Sequence, residues 1–164
     1  MRLLGRQVSC GRRESLSLVA AAVAMMLLAG CSTGKHVRSM FGGLLPVEIR
    51  VAPDVNDDSP VAVDLLVIYD QKLADSLLKV PSTEWFSKRA QYVKDYPKEL
   101  ALQSWEWVPG QAVDPVTIAY HLGARKVILF ADYRTDGEHR AAVEPQQPFR
   151  LVLGASDLSV EVPK

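Results

Sequence analysis

Few side chains in this sequence are equipped for covalent or acid–base chemistry. There are two cysteines, Cys10 and Cys31, and three histidines, His36, His121 and His139. No two of the histidines have the spacing of metal ligands on one helix or strand. The densest acidic group, Asp132, Asp136 and Glu138 with His139, invites a divalent-cation reading. Arg134 and Arg140 interleave with it, so a charged hairpin tip is the simpler account. Neither a G-x-S-x-G elbow nor a phosphate-binding glycine loop occurs. No catalysis and no metal are expected. The chemistry lies instead at Cys31, as a group that is modified.

Cys31 ends a segment with three parts. Arg2, Arg6, Arg12 and Arg13 precede an apolar run from about Leu16 to Leu28, and small residues follow. That order is a secretory leader. A permanent transmembrane helix needs roughly 20 apolar residues, more than this run offers. Leu28-Ala29-Gly30-Cys31 looks like a bacterial lipobox, so cleavage before Cys31 removes residues 1–30. The Cys31 thiolate then takes a diacylglycerol and its new amino group an N-acyl chain such as palmitate. These covalent lipids are the only additions expected; no cofactor is. Each buried methylene contributes about 0.8 kcal/mol, and several chains together anchor stably. Ser32 follows the cysteine rather than an aspartate, which points to the outer membrane, with the domain facing the periplasm.

Cleavage also changes the composition. Cys10 leaves with the leader, so no disulfide is expected and the domain holds by packing alone. Residues 31–164 carry 15 basic and 18 acidic residues, a net charge of −3 with histidine neutral. No basic stripe suits nucleic acid or anionic lipid headgroups. Residues 31–46 read as the lipidated cysteine and a glycine-, serine- and charge-rich tether. Within it Met40, Phe41, Leu44 and Leu45 either pack on the domain edge, the favoured reading, or touch the membrane surface.

Residues 47–164 read as one domain. VEIRVA alternates Val47, Ile49 and Val51 against Glu48 and Arg50, the period of a half-buried strand. PDVNDDSP, residues 53–60, is a loop by composition. VAVDLLVIYD puts Val61, Val63, Leu65, Val67 and Tyr69 on one face, with Leu66 and Ile68 on the other, as in a strand held between layers. A helical insertion is predicted over about 82–96, capped by Ser82 and ended by Pro97, with a stripe of Trp85, Phe86, Arg89, Ala90, Tyr92, Val93 and Tyr96. In KELALQSWEWV the apolar phase shifts between Leu100/Leu102 and Trp105/Trp107, which suggests a bulge or a change of sheet. Strands follow in VDPVTIAYHL, which places Val116, Ile118 and Tyr120 on one face, and in KVILFADY, PFRLVLG and LSVEV. The expected architecture is mainly β: a β-sandwich of seven or eight strands with one short inserted helix.

Several stretches, taken in order, resemble the outer-membrane lipoproteins of type VI secretion, the TssJ/SciN-like family. DVNDDSPVAVDLLVIYDQKL is similar to that family's first loop and second strand, with Asn56, Ser59, Pro60, Tyr69, Gln71 and Leu73 in matching places. WVPGQ, ARKVILFADYRTDGEHRAAVE and RLVLGASDLSVEV are similar to later segments. Asp57 stands where the family often has proline, and Gln111 where it often has a carboxylate. The resemblance implies a transthyretin-like sandwich and a non-enzymatic tether. It implies binding to the periplasmic C-terminal domain of the inner-membrane protein TssM, with Asp54, Asn56, Asp57 and Asp58 of the first loop at the contact. An envelope lipoprotein of another binding type, such as a pilotin, chaperone or inhibitor, is the alternative. Replacing Cys31 with Ser is expected to leave the domain folded but to release it from the membrane; fractionation of the envelope, with a thermal melt of the released protein, checks both halves.

Overall fold

A computed structural model describes residues 42–163; the leader, Cys31 and the tether through Phe41 lie outside the described residues. The chain enters at Gly42, whose φ of +72° is left-handed. A Cβ there would stand 2.6 Å from the Tyr120 carbonyl oxygen, so glycine is required. Strand β1 (Gly43–Val51) begins at once, earlier than the tether's expected end at residue 46. The reason is Leu45, which is buried beside Val47 and extends the alternation backwards. Leu44, on the opposite face, stays exposed.

The remaining elements are β2 (Val61–Ile68), α1 (Gln71–Leu77), α2 (Ser82–Asp95), β3 (Leu100–Trp107), β4 (Val116–Tyr120), β5 (Lys126–Asp132), β6 (Arg140–Val143), β7 (Phe149–Leu153) and β8 (Leu158–Glu161). They form two four-stranded sheets, ordered β4-β1-β7-β8 and β3-β2-β5-β6. All pairs are antiparallel except β1 with β7. The fold is thus mainly β with eight strands, as expected. Two helices, not one, cover the outer face of the second sheet.

Strand β2 shows why both layers are needed. Its odd residues, Val61, Val63, Leu65 and Val67, enter the core between the sheets. Leu66 and Ile68 point the other way, into a second core with Leu73, Ala74, Leu77 and Trp85 from the helices. The phase shift in β3 has the same cause. All eight β2–β3 pairs run in unbroken register, from Val61–Trp107 to Ile68–Leu100, so there is neither bulge nor change of sheet. Leu100 and Leu102 meet the helices, while Trp105 and Trp107 meet the other sheet. A regular strand that changes its covered face halfway reads in sequence like a slipped one.

Helix α1 escaped the sequence reading because two turns give barely one repeat of the 3.6 period. Its start is legible in hindsight: Asp70 caps it by accepting from the Leu73 N–H at 2.8 Å. In α2 the expected cap is displaced. Ser82 is the first helical residue, preceded by Pro81, which supplies no side-chain cap. The Ser82 N–H donates instead to the Glu138 carbonyl on the β5–β6 connection. Tertiary structure thus does the work of a cap, and the Ser82 side chain is buried. The buried stripe is also narrower than predicted, since Arg89, Ala90 and Val93 are exposed.

What docks α2 is Trp85. It is fully buried, with its ring stacked on Phe130 at 5.1 Å and on Tyr92 at 5.5 Å. Its indole N–H donates to Asp64 Oδ2 at 2.8 Å. Asp64 is the single charged residue of β2 and is itself buried on the helix-covered face. Arg89 adds a longer contact to the same oxygen at 3.4 Å. Trp85→Ala is expected to lower stability by about 3–5 kcal/mol. Trp85→Phe keeps a stacked ring but leaves Asp64 only the longer Arg89 contact, at a cost of about 1–3 kcal/mol; urea unfolding of both variants checks the ranking.

Candidate functional site

The strand registers bring four connections to one end of the sandwich. Val51 lies beside Leu153, Val61 beside Trp107, Ala62 beside Asp132, Phe130 beside Arg140 and Leu153 beside Leu158. So the β1–β2, β3–β4, β5–β6 and β7–β8 connections are neighbours. Residue 42, where the chain enters, lies at the other end of β1. At about 3.3 Å per residue, the nine residues of β1 set the two ends roughly 30 Å apart.

Hydrogen bonds tie the four connections to one another. The Ala52 N–H donates to Leu153 O at 2.9 Å, and the Gly110 N–H donates to Ala52 O at 3.0 Å. The Arg134 N–H donates to Asn56 Oδ1 at 2.7 Å, joining the first connection to the third. Thr135 Oγ1 donates to Ser156 O at 3.0 Å, and the Tyr133 hydroxyl donates to Gly154 O at 3.1 Å, joining the third to the fourth. Burial, and secondarily the nearby Asp157 carboxylate, push the Tyr133 hydroxyl pKa up, so it stays a donor. The end is a braced platform rather than four free loops.

Within the first connection the four residues singled out by resemblance divide into two kinds. Asp54, Asp57 and Asp58 are exposed. Asn56 is not: it is 3% exposed, beside Val55, which is wholly buried. Its Nδ2 donates to Pro60 O at 2.7 Å while its Oδ1 takes the Arg134 N–H. Asn56 thus faces inward and positions the loop backbone, whereas Asp54, Asp57 and Asp58 face solvent. Asn56, Asp57 and Asp58 all have left-handed backbone, with φ of 50°, 52° and 55°. Asparagine and aspartate tolerate that region best among non-glycine residues, which explains the composition N-D-D. Holding the amide of Asn56 in place turns the next two carboxylates outward.

The other connections add charge of the same sign. Asp114, Asp132, Asp136, Glu138 and Asp157 are all exposed. Against them stand Arg134, also exposed, and Arg140, paired with Glu138 at 2.9 Å. Val108, 51% exposed, is the apolar exception in the β3–β4 turn. His139, read in sequence as part of a polar tip, is buried against Tyr133. Its Nδ1 lies 3.0 Å from Asp157 Oδ1 and its Nε2 2.8 Å from Thr135 O. It is a brace between connections. Among the described residues no three His, Cys, Asp or Glu side chains converge as metal ligands. Sequence reasoning found the first connection but missed that His139, Thr135 and Tyr133 fasten the others to it, since those contacts span 18 to 21 residues.

No family model and no curated protein matches the sequence. Solved structures match the fold. The T6SS lipoprotein TssJ1 from Pseudomonas aeruginosa superposes over 75% of this chain and 98% of its own, with a TM-score of 0.57 and 14% identity. Serratia marcescens Lip, a membrane bound component of the Type VI Secretion System, superposes over 72% and 96%, with a TM-score of 0.56 and 16% identity. A chain from the structure of the T6SS protein TssM C-terminal domain from EAEC gives 72%, 97%, 0.52 and 16%. The class is thus a two-sheet sandwich with the architecture of type VI secretion lipoproteins. At this identity the likeness is one of fold, and in fold this chain is TssJ-like.

Asn56→Ala places alanine in left-handed backbone and removes the side-chain partner of the Pro60 carbonyl and the Arg134 N–H, so stability is expected to fall by about 1–3 kcal/mol. Asn56→Gly restores the backbone freedom and should cost less; urea midpoints of the two variants separate strain from hydrogen bonding.

Proposed function

We propose that this chain is a lipoprotein of the TssJ/SciN-like family, anchored in the outer membrane through acyl chains on Cys31 and facing the periplasm. Its sandwich binds the periplasmic C-terminal domain of the inner-membrane component TssM and so tethers the type VI secretion membrane complex. It performs no catalysis; lipid holds one end and protein contact the other.

The observation that carries this reading is the polarity of β1. One strand runs from the point where the lipid-bearing segment joins the domain to the braced acidic end, so pull at either end is borne along a hydrogen-bonded sheet. The likeness to TssJ1 and Lip, and to a chain of the TssM C-terminal domain structure, supports the assignment of partner. The carboxylates of the four connections make a basic patch the complementary surface on that partner. Such complementarity governs encounter rate and register more than final affinity, and it weakens with salt as the Debye length shortens to about 3 Å at 1 M.

The test is co-isolation of the protein with the periplasmic domain of TssM. Reversing Asp54, Asp57 and Asp58 to Lys is expected to weaken the complex about tenfold or more, with its salt dependence reduced. Full binding by the triple variant would remove the first connection from the interface. The N-terminal mass of protein isolated from membranes should show three acyl chains on Cys31.

A further inference from the structure

The end of the sandwich opposite the acidic connections carries its own surface feature. Leu44 is 70% exposed and Leu122 58%, the two highest values among the exposed large apolar side chains of the described residues. Both lie at this end of the sandwich. Leu44 is the register partner of Ala119, and Gly42 packs on the backbone of Tyr120 and His121, directly before Leu122. Single exposed leucines are ordinary on a protein surface. Two beside the point where the lipid-bearing segment joins the domain need an account.

We propose that this base is a membrane-contact face, resting on the phospholipid surface that holds the anchor. The inference rests on the lipid-anchor reading above and adds an orientation to it. Eleven positions separate Cys31 from Gly42, so covalent geometry alone keeps the base within about 40 Å of the acylated residue. The acidic end lies roughly 30 Å from Gly42 along β1, and anionic headgroups repel its carboxylates. The base offers two leucines for the acyl boundary and, at headgroup level, exposed Arg125 and His121 and half-buried Tyr69, beside the exposed carboxylates of Asp70 and of Glu144, the latter paired with Lys126. The turn is firmly placed, because the His121 N–H donates to the Tyr69 hydroxyl at 3.1 Å and the Arg125 N–H to Ile68 O at 2.7 Å. Contact at the base presents the four braced connections away from the bilayer.

The test couples the chain from Cys31 to Lys164, which contains every described residue, to a maleimide-headgroup lipid through the Cys31 thiol. The vesicles are of phosphatidylethanolamine and phosphatidylglycerol, and attachment does not depend on natural acylation. Hydrogen exchange is then compared with that of the same chain free in solution. Amides of the 121–125 turn are expected to slow about tenfold on vesicles, while those of 52–60 and 154–157 keep their rates. The Leu44→Glu, Leu122→Glu double variant, coupled in the same way, should lose the slowing and keep its unfolding midpoint. Unchanged rates at 121–125, or slowing at 52–60 instead, would overturn the proposal. So would slowing in the free chain on raising its concentration, which would mean that a second copy covers the base. Failure of natural acylation is read separately, from the N-terminal mass, and does not alter these rates.

Discussion

The β3-β2-β5-β6 sheet is covered on both faces, and the rest of the molecule follows from that constraint. A strand such as β2 cannot be half-polar when the other sheet lies on one side and two helices lie on the other. Its one charged residue, Asp64, sits on the helix side and takes the indole N–H of Trp85. A buried carboxylate without a donor is costly, and a helix without a buried anchor is marginal. The pairing eases both, although only Asp64 Oδ2 is served and Oδ1 stays buried without a partner. Trp85, stacked on Phe130, is the buried side chain that joins sheet, helix and buried charge, with Arg89 making a longer contact to the same oxygen.

The other sheet has a different task. Its outer face is polar, as Glu48, Arg50 and Arg150 indicate, with Arg150 bridging Glu48 and Glu161 across three strands. Those exposed pairs contribute little to stability. The value of this sheet is direction. β1 is hydrogen-bonded to β4 over its first half and to β7 over its second. A strand paired in this way along its length resists being peeled from either end. The parallel β1–β7 pairing also sets the β7–β8 turn beside the β1–β2 connection, where Asp157 and Thr135 can brace the hairpin tip.

The acidic end is rigid, which would matter for the contact proposed above. Carboxylates on free loops would lose conformational freedom on binding, which subtracts from affinity. Here Asn56, Tyr133, Thr135 and His139 hold the backbone in place before any partner arrives. The charged groups have already been positioned by folding.

Much of this was legible in the residues alone. Alternation in Val47–Val51 and Val61–Val67 gave the strands, apolar residues on both faces of β2 gave the layered arrangement, and Pro97 gave the end of α2. These are local periodicities, imposed by burial on one or two faces, and they survive in any window of sequence. The division of the N-D-D loop into one inward amide and two outward carboxylates was not legible, because the partners of Asn56, Pro60 O and Arg134 N, include one 78 residues away. Helix α1, strand β6 and the true start of β1 escaped for a related reason: each is short or polar, and holds its form through contacts from elsewhere. The apparent slip in β3 shows the limit most clearly. Sequence records which residues are apolar, but only the tertiary structure decides which layer covers each half of a strand. Covering is a property of the neighbours that fold against it.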